Sequence, residues 1–155
     1  MNAHSSSPGK MSGFTLLEVL VSVLILAIGL LGLAGLLVQG VRFNHDAYLR
    51  SQGSALAYEI TDRMRLNRAN AGDYVSEYVS RADHDACDPT AASDAANDLN
   101  CWYDQIDRTL PPNANGDPSA EIAVNADDAN QYDITLRWTS RDEDGPTVIL
   151  YTFQP

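Results

Sequence analysis

Glu18 stands at the mouth of a run with almost no other chemistry in it. From Val19 to Val41 no residue is charged, and only Ser22 and Gln39 interrupt Val, Leu, Ile, Ala and Gly. An ionised carboxylate in hydrocarbon is costly, and acids at such positions mark functional sites that need a partner. Phe14 lies one helical turn before Glu18, behind the small residue Gly13, which closes a short hydrophilic stretch carrying Lys10. A cut after Gly13 would leave the apolar segment headed by a free amine on Phe14, and the same amine on a neighbouring subunit is a cation that Glu18 can meet. The plainer alternative is that Glu18 snorkels to the lipid headgroups.

Cys87 and Cys101 are the only cysteines. In an oxidising compartment a disulfide between them is the expectation; closing a loop of about 15 residues contributes roughly 3 kcal/mol in the chain-entropy picture. Two free buried thiols are the alternative. Zinc is disfavoured, because His84 is solitary and no second Cys or His pair stands at ligand spacing. The acidic stretches Asp83–Asp88 and Arg141–Gly145 suggest calcium, but neither has the alternating ligands, central glycine and closing glutamate of an EF-hand loop, so both read as solvated turns. There is no nucleophile elbow, phosphate-cradling glycine loop or HExxH, and His4, His45 and His84 are scattered over the chain. We expect no enzyme, no metal and no cofactor. A formal net charge of −11 argues against a nucleic-acid partner, which needs a basic face.

The apolar run exceeds the roughly 20 residues that a bilayer crossing requires, which predicts a transmembrane helix. A chain this small cannot surround such a run as a core helix, and a secretory signal would place its small-residue cleavage site after the run, not before it. Lys10 and Arg42 flank the run, so the charge bias hardly sets orientation. Beyond Val41 the pattern turns amphipathic, with Leu49, Gly53, Leu56, Ile60 and Met64 on one face. Arg63, Arg65 and Arg68 read as a solvated helix end, and Asn70-Ala71-Gly72 as the stop. A helix from Phe14 to about Asn67 would be about 80 Å long.

The stretch Asp73–Pro118 reads as a loop-rich connection with one short helix near Asp98–Leu110, whose stripe is Leu99, Trp102, Ile106 and Leu110. Pro111–Pro118 then breaks regular structure. Tyr132–Thr139 alternates strictly and predicts a half-buried strand. Thr147–Phe153 should pair with it across the turn Arg141–Pro146, and Glu121–Val124 is a weaker third strand. The predicted fold class is α+β, an antiparallel sheet of three or four strands laid against the amphipathic half of the long helix. The expected divisions are a leader over 1–13, the membrane half of the helix over 14–41, its amphipathic half over 42–71 and a globular head over 72–155.

The segment Gly13-Phe14-Thr15-Leu16-Leu17-Glu18 before an apolar helix resembles the prepilin signature of type IV pilins and type II secretion pseudopilins. The stretches Ile60–Tyr74, Thr109–Pro112 and Tyr132–Trp138, with Cys87 and Cys101, resemble a minor-pilin family, the type IV pilus modification protein PilV. The resemblance implies a pilin-like fold, cleavage by prepilin peptidase between Gly13 and Phe14, N-methylation of Phe14, and Glu18 as the assembly carboxylate. The sequence departs from the pattern of many major pilins, which carry a proline that kinks the membrane helix, since no proline occurs between Gly9 and Asp88, and the same bend is not expected here. The expected function is that of a minor pilin that helps to initiate a type IV pilus or forms its tip. Expected partners are prepilin peptidase, other major and minor pilins, inner-membrane lipid and a tip adhesin. The expected location is the bacterial inner membrane, single-pass with a periplasmic head, and then the pilus. Two alternatives stand beside this: a minor pseudopilin of type II secretion, and a non-polymerising single-pass periplasmic binding module.

Overall fold

A computed structural model describes residues 15–78, 84–91, 94–113, 119–140 and 145–155. The chain is α+β and pilin-like, a long N-terminal helix with a small antiparallel sheet. Helix α1 spans Leu16–Leu66, and the chain divides within it into two units, Met1–Phe43 and Asn44–Pro155.

In the first unit, α1 is unbroken and every described side chain is exposed, leucines such as Leu31 included. A helix that is apolar all round satisfies its own backbone and leaves its side chains to lipid, and α1 is long and apolar enough to cross a membrane. Gly29, Gly32 and Gly35 do not interrupt it.

In the second unit, α1 becomes amphipathic. Leu49, Gly53, Leu56, Ile60 and Met64 are all buried, as their spacing requires. After Leu66 the α-helix ends, close to its expected end at Asn67, and the chain continues in 3-10 turns over Arg68–Tyr74 that are broken by non-helical backbone at Asn70, within the expected stop Asn70-Ala71-Gly72; they carry Tyr74 into the core at 0% exposure. Strand β1 (Ser76–Tyr78) follows, inside a stretch whose sequence predicts only loop and one helix. Helix α2 spans Ala95–Thr109, three residues ahead of its expected start, because Asp94 accepts a hydrogen bond from the Asn97 N–H at 2.8 Å and caps it.

Strands β2 (Ala120–Val124), β3 (Tyr132–Thr139) and β4 (Pro146–Phe153) complete a sheet of order β1-β2-β3-β4, antiparallel throughout. Of the turn between β3 and β4, residues 141–144 lie outside the described set, as do 114–118 of the Pro111–Pro118 break. Ile122, Ile134, Leu136 and Trp138 form the sheet's buried face, in one core with the α1 stripe, with Leu99, Trp102 and Ile106 of α2 and with Leu110 at its C-cap. Gly53 lets helix and sheet meet: a Cβ there would stand 2.9 Å from Ile149 Cδ1 and 3.1 Å from the Trp138 ring. The Trp102 indole N–H donates to the Leu56 carbonyl at 2.9 Å, tying α2 to α1.

Candidate functional site

The N-terminal site begins at Thr15, since Gly13 and Phe14 lie outside the described residues. Thr15 precedes the first helical residue and caps α1: its Oγ1 accepts from the Glu18 N–H at 3.3 Å, while its carbonyl accepts from the same N–H at 3.0 Å. Glu18 is thus the third helical residue, the position where the free N–H groups and the helix dipole favour a carboxylate. The Ser22 hydroxyl donates to the Glu18 carbonyl at 2.7 Å, so this polar side chain is satisfied inside its own helix. Among the described residues no lysine or arginine pairs with the Glu18 carboxylate. The dipole accounts for a negative charge at this point on the chain.

A second set of residues fixes the loop before α2. Cys87 and Cys101 are joined by a disulfide, their Cα atoms 4.4 Å apart. The Asn97 side chain clasps the same loop from both sides, accepting from the Asp88 N–H and donating to the Asp88 carbonyl, each at 3.0 Å. The Asp88 carboxylate accepts from the Thr90 hydroxyl at 2.7 Å and from the Thr90 N–H at 2.8 Å, and these bonds hold it below the usual carboxylate range. Asn97 carried no signal in the sequence beyond its place in a helix start.

Arg63 corrects the reading of the helix end as solvated. It pairs with Glu59 at 2.9 Å and with Asp98 at 3.0 Å. Asp98 is buried at 3% exposure, and its other oxygen accepts from the Tyr74 hydroxyl at 2.6 Å. Burial works against the Arg63 charge, yet the two carboxylates outweigh it and raise its pKa. Burial, and then the bond to Asp98, pushes Tyr74 up to about 12. One carboxylate therefore joins α1, the 3-10 segment and α2. Arg65 pairs with Asp62 and lies 5.8 Å from the Phe153 ring centroid.

His84 packs on tyrosines, 5.2 Å from the Tyr78 ring and 5.5 Å from Tyr103, with Nδ1 2.7 Å from the Asp85 carbonyl. Among the described residues no group of three or more His, Cys, Asp or Glu side chains could hold a metal ion.

Residues 9–34 match a family model described as a prokaryotic N-terminal methylation motif. This chain carries a prepilin-type N-terminus. The match takes in the Thr15–Glu18 cap and the apolar helix as far as Ala34. Comparison with curated proteins and with solved structures returned no match. The motif supports the prepilin and pseudopilin class, and with it processing by prepilin peptidase, association with other pilins and single-pass anchoring through the apolar helix.

Proposed function

We propose that the protein is a minor pilin, cleaved after Gly13, N-methylated on Phe14 and incorporated into a type IV pilus, where it helps to prime assembly or forms part of the tip. The observation that carries this reading is the methylation motif over residues 9–34, whose helical part, residues 16–34, has Glu18 in its first turn as its one charged residue. Assembly on this reading is geometric. The apolar stretch packs among other pilin helices, Glu18 neutralises the terminal amine of a neighbour, and the head selects which subunit comes next. The periplasmic placement of the head agrees with a disulfide, which persists in an oxidising compartment. No catalytic role is assigned to any residue. The divisions at 13, 41 and 71 belong to the same reading.

Intact-mass and N-terminal peptide mass spectrometry on protein recovered from its native membranes tests it. A chain beginning at methylated Phe14 is the expected result, and a chain beginning at Met1 in a peptidase-competent cell would overturn it. Loss of surface pili in a deletion strain is expected of a minor pilin; loss of protein export with pili intact would instead assign the chain to type II secretion.

A further inference from the structure

We propose that Asn97 is the positioning residue for the disulfide: its side-chain amide seats Cys87 against Cys101 before any sulfur–sulfur bond exists, so that the bond closes and reopens on a head that is already folded. This rests on the loop before α2 and not on the filament reading.

The two cysteines are 14 residues apart in the sequence, and in an unfolded chain their meeting is opposed by loop-closure entropy. In the folded head the meeting is arranged by groups other than sulfur. The Asp94 carboxylate caps α2 by accepting from the Asn97 N–H at 2.8 Å, and the Asp94 carbonyl accepts from the Asp98 N–H at 2.9 Å, so the first turn fixes where Asn97 stands. An amide side chain presents an acceptor and a donor side by side. Asn97 gives both to one residue, taking the Asp88 N–H and meeting the Asp88 carbonyl, as a paired residue in an antiparallel ladder does.

Sequence places these ties next to the sulfurs. Asp88 follows Cys87 directly, and Cys101 stands four residues after Asn97, on the same face of α2. Seating Asp88 on the first turn therefore brings Cys87 over the second, and Asn97 Oδ1 itself lies 3.9 Å from Cys101 Sγ. Asp88 is braced within its own loop as well: its carbonyl accepts from the Ala91 N–H at 3.2 Å, and its carboxylate from the Thr90 hydroxyl and N–H. None of these bonds uses a sulfur, so the dithiol chain makes them too.

The step is thiol–disulfide exchange with a small external disulfide. One protein thiolate attacks a sulfur of that disulfide and expels a first thiolate; the other then attacks the protein sulfur of the mixed disulfide and expels the second. The protein dithiol loses two electrons and two protons, and the external disulfide gains them as two thiols. The equilibrium of this exchange depends on how closely the fold holds one sulfur to the other, which is the work of the clasp.

The full-length chain in detergent, equilibrated with mixtures of oxidised and reduced glutathione, quenched by alkylation and weighed, gives the exchange constant. Asn97→Ala removes both clasp bonds and keeps a good helix former in place, while the exposed Asp88 turns its backbone to water. Losing two hydrogen bonds should lower the exchange constant about tenfold. Gly53→Ala is the comparison, since its methyl loosens packing against Ile149 and Trp138. It should lower the melting midpoint and leave the exchange constant at the parental value, because exchange takes place on the folded head. The parental dithiol form should keep the near-ultraviolet circular dichroism of the oxidised one. An exchange constant that Asn97→Ala leaves unchanged, one that Gly53→Ala lowers as far, or a parental dithiol form without that spectrum would overturn the proposal.

Discussion

At the scale of single residues, Glu18 completes a first turn that Thr15 caps, where a carboxylate is worth a few tenths to about 1 kcal/mol. That is too little to explain an acid at the border of a 23-residue uncharged run; burial of an unpaired charge among other helices costs far more than the dipole returns. Glu18→Ala should therefore insert and lose its leader as the parent does, yet enter filaments at about a tenth of the parent level or less, since the neighbour's amine is left buried without its partner. Immunoblots of sheared filaments against membranes read this out, and parental entry by the variant would remove the pairing argument. Glu18→Gln keeps the shape without the charge and should behave like the alanine. The cap itself was written in the sequence, as a threonine three residues before a glutamate that opens an apolar run.

At the scale of elements, the second unit depends on close approach and on one buried acid. Gly53→Ala places a methyl 2.9 Å from Ile149 and 3.1 Å from Trp138. Helix and sheet must separate or Trp138 must shift, at a cost of about 1–3 kcal/mol. Thermal unfolding of the detergent-solubilised full chain should show a lower midpoint, and an unchanged one would mean that the Ile149 side chain yields freely. Asp98→Ala leaves Arg63 short of a partner and the Tyr74 hydroxyl buried without an acceptor, for a loss on the order of 3 kcal/mol. The same contact makes an alkaline prediction. Tyr74 is neutral in folded and unfolded chains below its ordinary pKa of 10.0, so its contribution is complete there. As pH rises from there through about 12 the unfolded chain ionises first and that stability is lost. Tyr74→Phe should be less stable at neutral pH and flatter between pH 10 and about 12, though not flat, because burial raises Tyr103 in the same direction. Periodicity made the α1 stripe, the face of α2 and the alternation of β3 legible, since each repeats one chemical choice over several turns or pairs. It could not show β1, whose three residues are too few to alternate, nor the Arg63–Asp98 pair, whose partners are 35 residues apart and meet only once both helices are placed.

At the scale of the whole molecule, one chain serves two solvents. Every described side chain from Thr15 to Phe43 is exposed, so that unit gains nothing from a core and its stability is the bilayer's to provide. The unit from Asn44 to Pro155 must instead hold a small core in water, with two helices on one four-stranded sheet. A cross-link matters most in the second setting. The disulfide spans 14 residues and fastens a loop that Asn97 and Thr90 otherwise hold by hydrogen bonds alone. Removing it with the double variant Cys87→Ser and Cys101→Ser frees that loop in the unfolded chain, a loss of about 3 kcal/mol by chain entropy. The apolar helix contains neither cysteine, so the variant should still fractionate with membranes and still be processed at its N-terminus. Its head should melt lower and be cut faster by protease, and limited proteolysis of intact membranes would show the head lost while a protected fragment carrying the apolar helix persists. Failure of the variant to reach the membrane would contradict the division of labour, because it would make insertion depend on a bond that lies wholly within the aqueous unit.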